Sequence, residues 1–154
     1  MFGGRLNFTQ KFSSRSPRAP QLEVNVNALR NEDLLVQEVR RILSHGFEEA
    51  RRIIGKTSIT AYRRVHEVVA SALDRLASAG KRDKSLLVDL SKALILVRYQ
   101  YARDQISEGI ARYVEDVVKG VLDEAGKDWE NARKVARNAR TLLDALAVLV
   151  YEYT

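Results

Sequence analysis

The sequence predicts an all-α protein: a compact bundle of about five helices preceded by a basic arm. Three observations support this prediction. From residue 22 onward, apolar residues recur every three or four positions, which is the period of amphipathic helices. Both prolines of the chain, Pro17 and Pro20, precede that region. No stretch alternates apolar and polar residues over enough positions to predict a strand.

The first 21 residues differ in composition from the rest of the chain. They lack acidic residues and include four basic ones, which are Arg5, Lys11, Arg15 and Arg18. A segment of this composition buries too little apolar surface to offset the entropy lost on ordering. We therefore predict a disordered basic arm over residues 1–21 and a single helical-bundle domain over residues 22–154.

The first predicted helix begins after Asn31. The two acids that follow this residue suit the positive N-terminal end of a helix, and the asparagine side chain can cap it. The helix is predicted to run to Ile54 with a weak point at residues 44–46, which are Ser, His and Gly. Gly55 then ends it, because glycine readily adopts the left-handed conformation at helix C-termini.

The other four helices are bounded in the same way, by a polar cap at the start or a glycine at the stop. The third and fourth predicted helices meet near Asp104, with or without a bend. The predicted starts are Thr57 or Ser58, Asp83 or Ser85, Asp104, and Asp128, and the predicted stops include Gly80 and Gly126.

Charge and composition limit the classes of partner. The chain has 26 basic and 20 acidic residues, a net charge of +6, and four of these six charges come from the arm. This balance favours polyanionic partners. The absence of cysteine excludes disulfides and thiolate zinc sites. Because we find neither a signal peptide nor a run of about 18 apolar residues, we expect a cytoplasmic location and no membrane partner.

Two motifs imitate catalytic sites. Residues 55–57 (Gly-Lys-Thr) resemble the end of a phosphate-binding P-loop, but Ala50 stands where that loop needs glycine, and the preceding segment is helical. His66 begins a zincin-like string, but Ala70 replaces the second histidine. The acids are scattered over solvent faces and helix starts. We therefore predict that the protein is not an enzyme and has no catalytic residues, metal site or cofactor.

The third predicted helix has two different faces. Apolar residues between Leu90 and Tyr101 recur at helical spacing and would join the core. A second stripe presents two cations and an aromatic ring, Lys92, Tyr99 and Arg103, at intervals of seven and four. That stripe is free to meet an anion.

Further arginines follow helical spacing elsewhere. Arg133, Arg137 and Arg140 form a row in the last helix, where like charges repel by roughly a few tenths of a kcal/mol unless an anion or carboxylate relieves them. A phosphate backbone suits such rows, because each contact releases counterions. The alternatives are a solvated face or pairing with the acid-rich fourth helix. The predicted nucleic-acid-binding residues are Arg63, Arg64, Lys92, Tyr99, Arg103, Arg133, Arg137 and Arg140.

Two of these elements carry a family resemblance. The stretch Thr57–Arg64 opens the second helix with a Thr/Ser cap that leads to two arginines, and the stretch Tyr99–Arg103 has the pattern Tyr-x-x-small-Arg. The last helix is apolar from Ala145 to Tyr151. With this order of elements, residues 30–153 resemble the small helical subunit of type III-A CRISPR–Cas effector complexes, and the type III-B small subunit is a near neighbour.

The resemblance implies a non-catalytic structural subunit of a ribonucleoprotein filament. Its partners would be guide RNA and target RNA, other effector-complex subunits and copies of itself. Contacts to the RNA backbone would suffice, since base pairing supplies the sequence information. Two other hypotheses remain open: a helical protein–protein adaptor or oligomerisation module, and a basic DNA-compacting protein.

Overall fold

The computed structural model describes residues 22–154, and the predicted basic arm of residues 1–21 lies outside them. All regular structure in the described part is helical, which confirms the predicted all-α class there. A short 3-10 turn precedes six α-helices. They are the turn Val26–Leu29, α1 Glu32–Leu43, α2 Phe47–Ile54, α3 Ile59–Ser78, α4 Lys84–Ala102, α5 Glu108–Ala125 and α6 Trp129–Glu152.

The expected number of about five helices was too low by one, because the first predicted helix is broken. Gly46 has extended backbone (ψ 165°) and forms the N-cap of α2, so the helical hydrogen-bond ladder cannot continue through it. The sequence marked this place as a weak point within one helix. In the structure it separates two helices.

The chain also breaks between the third and fourth predicted helices. Asp104 adopts a left-handed conformation with φ 59°, and Ser107 caps α5 by accepting a hydrogen bond from the Ile110 N–H. A non-glycine residue rarely adopts this backbone and does so as a single residue, so α4 ends here. The open question of a bend near Asp104 is thus resolved as a turn.

Four predicted caps are confirmed, whereas the fourth predicted helix begins after Ser107 and not at Asp104. The Asn31 side chain accepts from the Leu34 N–H at 3.1 Å, and the Ser58 hydroxyl accepts from the Ala61 N–H at 3.2 Å. Asp83 and Asp128 cap α4 and α6 in the same way. Each cap satisfies a backbone donor that has no partner within the helix.

Helices α3 to α6 form the central bundle. α4 and α6 each pack across both α3 and α5, and α1 packs on α6, diagonally across the bundle from α4. The core between them is apolar and nearly closed to solvent; its largest fully buried side chains include Tyr62, Leu73, Leu76, Leu90, Ile110, Tyr113 and Leu142.

A buried carboxylate joins α1 to the bundle. Glu38 Oε2 accepts from the Tyr113 hydroxyl at 2.8 Å and from the Asn25 N–H at 3.2 Å, and Arg41 donates to both carboxylate oxygens. Burial alone would raise the pKa of Glu38, but these hydrogen bonds outweigh it and lower the pKa below its usual value.

Within residues 22–154, no helix combines the length and the apolar content needed to cross a membrane.

Candidate nucleic-acid interface

Helices α3 and α4 form an antiparallel hairpin whose register is fixed at both ends. Arg75 Nη2 donates to Asp89 Oδ2 at 3.2 Å near the connecting turn. At the open end, the Ser58 N–H donates to the Gln105 carbonyl at 2.7 Å. Because Arg64 follows Ser58 by six residues and Tyr99 precedes Gln105 by six, Arg64 and Tyr99 lie at the same level along the hairpin.

The same contacts show which sides of the helices face each other. Residues eleven apart in a helix lie on nearly the same side, so Arg64 shares the α4-facing flank of α3 with Arg75. Arg103 follows Asp89 by fourteen residues, about four turns, and so lies on the α3-facing flank of α4. The structure therefore brings Arg64 and Arg103 to the two edges of one groove.

Tyr99 and Lys92 lie on the outward side of α4, next to this groove. The Arg103 guanidinium lies over the Tyr99 ring, 5.3 Å from its centroid. Arg64, Lys92 and Arg103 are exposed, and none of them pairs with a carboxylate within residues 22–154. We call Arg64, Lys92, Tyr99 and Arg103 the hairpin patch.

The arginine row of α6 is placed differently. Arg133 Nε donates to the Ala77 carbonyl at 3.1 Å and its Nη1 pairs with Glu130 at 2.9 Å. Arg137 Nη1 reaches the same Ala77 carbonyl at 3.4 Å. The row thus caps the C-terminal end of α3, where backbone carbonyls lack helical partners.

Arg140 completes this row and is neutralised within the protein. Its Nε lies 3.3 Å from Asp74 Oδ1 of α3, and its Nη1 donates to Asp144 one turn further along α6. The mutual repulsion expected of the row is therefore relieved by carboxylates of α3 and α6, not by the acid-rich helix α5. Arg133 and Arg140 offer less free charge than the hairpin patch.

Arg63 lies on the opposite flank of α3 from Arg64. It precedes Asp74 by eleven residues, and Asp74 faces α6 through its contact with Arg140. The eight predicted residues therefore divide between two surfaces. Arg64, Lys92, Tyr99 and Arg103 lie at the α3–α4 hairpin, and Arg63, Arg133, Arg137 and Arg140 lie at the α3–α6 side.

A groove of about 660 Å³ lies between the start of α1 and α6. Lys134 and Arg137 line one part of it, and Glu32 and Asp33 line another. Mixed charges of this kind disfavour a phosphate backbone, which meets carboxylates as well as cations there. The groove is a weaker candidate than the hairpin patch.

Glu115, one of the acids of α5, is paired with a cation of α4 and a cation of α5. Glu115 accepts from Arg98 Nε at 2.8 Å and from Lys119 at 3.2 Å. Burial raises the pKa of Glu115, but the hydrogen bonds from Arg98 and Lys119 outweigh it and lower the pKa overall. Asp116 nearby has a pKa raised by burial, partly countered by Arg112 and Lys119.

The two motifs that resemble catalytic sites lie at a helix boundary and at a contact between two helices. Gly55 ends α2 with φ 57°, and Thr57 and Ser58 lie in the connection that caps α3, so the P-loop-like string is a helix stop and a helix start. His66 Nε2 lies 3.4 Å from Asp144 at the α3–α6 contact. Among the described residues, no group of three or more possible ligands could hold a metal ion.

Sequence reasoning missed two residues beside the hairpin patch. Val88 and Ile95 are exposed on the outward side of α4, in line with Lys92 and Tyr99. The signal was present, since apolar residues occur on both faces of this helix, but only the inward set was assigned to packing.

Comparisons with known protein families, with curated proteins and with solved structures found no match to this chain.

Proposed function

We propose that this protein is a non-catalytic structural subunit of a type III CRISPR effector complex that binds the backbone of the guide and target RNA. The observation that carries the proposal is the hairpin patch, where three exposed cations without carboxylate partners among residues 22–154 share a surface with the exposed Tyr99 ring, and one of them, Arg103, lies over it. The family resemblance supports it through two of the same residues, Tyr99 and Arg103.

The chemistry of the hairpin patch suits a single-stranded or splayed RNA. Arginine and lysine neutralise phosphates and release counterions, and an aromatic ring stacks on any base, which gives affinity without sequence preference. A subunit that binds an RNA already selected by base pairing needs no more than this. Catalysis would belong to other subunits of the complex, and a cytoplasmic location forms part of the proposal.

The two surfaces take different roles in this proposal. Arg64, Lys92 and Arg103 provide the phosphate contacts, and Tyr99 provides stacking. The α6 row and Arg63 remain predicted contacts of lower weight, because Arg133 and Arg140 would have to leave Glu130, Asp74 and Asp144 to bind a phosphate. Exchanging one charged partner for another gains little free energy.

Affinity capture of the full chain from its native cells tests this function. Recovery of guide RNA together with other effector subunits, lost on ribonuclease treatment, is the expected result. Recovery of protein partners without RNA would instead support the adaptor hypothesis. Capture of duplex DNA, with equal affinity for duplex DNA and single-stranded RNA in vitro, would instead support DNA compaction.

A further inference from the structure

The outward side of α4 carries an exposed apolar seam. Val88, Ile95 and Tyr99 are 51%, 68% and 55% exposed, and they lie opposite the buried face of the same helix. An amphipathic helix normally presents polar residues on its outer side. Ile95 and Tyr99 are one turn apart and Val88 lies two turns before Ile95, so exposed apolar side chains line up along one side of the helix, as they do at interaction surfaces.

The seam has coiled-coil spacing. When Lys92 and Ala102 are included, the residues along this side of α4 are spaced four, three, four and three apart. This is the 3.5-residue repeat that keeps one side of a helix against a partner helix. Lys92 and Ala102 occupy the remaining positions. The seam therefore consists of Val88, Lys92, Ile95, Tyr99 and Ala102.

Charged residues flank the seam unequally. Asp89 and Arg103 lie on the flank that faces α3, with the acid near the N-terminal end of α4 and the base at its C-terminal end. On the other flank Arg98 is paired with Glu115 of α5 at 2.8 Å. The α3-facing flank is thus acidic at one end and basic at the other.

We propose that a second copy of this chain covers the seam, with the two α4 helices antiparallel and related by a two-fold axis that crosses the outward side of α4 at the level of Val97. Centred there, Ile95 of each copy packs against Tyr99 of the other. Lys92 lies opposite the small Ala102 of the second copy, which leaves room for its long side chain. Asp89 comes close to Arg103 of the second copy, and the contact occurs twice by symmetry.

The charges favour the antiparallel arrangement over the parallel one. A parallel pair would place Lys92 beside Lys92 in the seam and would put the Asp89 and Arg103 flanks of the two copies on opposite sides of it, where they make no contact. The antiparallel pair places opposite charges together and opposes the helix dipoles. A single lysine within an apolar seam also restricts register, as polar seam residues do in coiled coils.

The dimer does not rest on the proposed function, but the two would compete, because both use Lys92, Tyr99 and Arg103. The dimer is a property of the RNA-free chain, and its stability comes from apolar contact. Added salt screens the remaining positive charge around Arg64, so the dimer is expected to withstand salt, whereas RNA binding weakens with salt. Measuring dimerisation and RNA binding at several salt concentrations therefore tests the two proposals separately.

Sedimentation of the RNA-free full chain over a concentration series tests the dimer. The wild type is expected to dimerise, and Ile95→Glu is expected to weaken dimerisation by about 100-fold, because an unpaired carboxylate would be buried. Val36→Glu is the matched control, since Val36 is also an exposed apolar residue, at 57% against 68% for Ile95, but lies on α1. A monomeric wild type, or equal loss in both variants, would overturn the proposal.

Engineered cysteines test the orientation, because the natural chain has none. Chains with Ile95→Cys mixed with chains with Tyr99→Cys should form a disulfide between the two variants faster than either variant forms one with itself. This follows from the short Cα separation that a disulfide requires. Preferential self-linking of the Ile95→Cys chain would show a parallel pair and contradict the two-fold antiparallel arrangement.

Discussion

The Arg103 guanidinium lies 5.3 Å from the centroid of the Tyr99 ring, and both side chains are exposed where α4 ends. A cation–π contact at an exposed site contributes only about 0.5–1 kcal/mol, so it does little for the fold. Its consequence is local order: a cation and a flat ring are held side by side at the edge of the α3–α4 groove.

RNA affinity should depend on the Tyr99 ring and not on its hydroxyl. Tyr99→Leu is expected to weaken binding of single-stranded RNA about tenfold, because base–aromatic stacking contributes roughly 1–3 kcal/mol. Tyr99→Phe keeps the ring and should bind like the wild type. Fluorescence anisotropy with a labelled oligonucleotide measures both. Equal affinity of the leucine variant and the wild type would remove stacking from the proposed mechanism.

The Tyr113 hydroxyl should matter to stability. Tyr113→Phe removes the buried donor that lies 2.8 Å from Glu38 Oε2 and is expected to lower the free energy of unfolding by about 1–3 kcal/mol. Tyr99→Phe is the matched control, because Tyr99 is exposed, and it should change this free energy little. Urea denaturation compares them, and similar unfolding midpoints for all three proteins would contradict the structural role of the bond.

Acid should destabilise the protein through Glu38 and Glu115. Their folded-state pKa values are lowered, so the stabilisation is fully present above the usual value of 4.5 and is lost as the pH falls through the lowered value. Asp116, with a raised pKa, acts in the opposite direction. Glu115→Gln should reduce the difference in unfolding free energy between pH 7 and about pH 3. An undiminished difference in urea titrations would count against this assignment.

Gly55 should resist substitution. Its φ of 57° with ψ −132° lies in a region that residues with a Cβ rarely adopt, so Gly55→Ala is expected to cost about 1–2 kcal/mol. Gly80→Ala is the control, because an added Cβ there meets nothing within 4 Å. Thermal unfolding of the two variants should differ by several degrees. Equal melting temperatures would show that the Gly55 turn tolerates a side chain.

Local features of the fold could be predicted from the sequence. The caps at Asn31, Ser58, Asp83 and Asp128 depend on a side chain and backbone groups two or three residues away, so local chemistry sets them. Most of the inward face of α4 could be predicted too. Leu90 and Val97 are buried, as periodicity requires, and Leu94 is only partly buried.

The contacts that each arginine makes could not be predicted, because its partners are distant in sequence. Arg133 meets a carbonyl 56 residues away, and Arg140 meets Asp74 of another helix. Arg63 and Arg64 are neighbours in sequence, yet they face different helices. Only the packing of α3 between α4 and α6 decides that Arg64 belongs to the hairpin patch and Arg63 does not.

The salt dependence of RNA binding tests the central claim most directly. The logarithm of the affinity for single-stranded RNA, plotted against the logarithm of salt concentration, changes by about −0.7 per phosphate contact. Replacing Arg64, Lys92 and Arg103 by glutamine together should therefore make the slope shallower by about 2. The charge-matched control replaces Arg40, Arg52 and Lys127, which are exposed elsewhere, and should leave the slope nearly unchanged. An unchanged slope in the first variant, or equal changes in both, would contradict RNA binding by the hairpin patch.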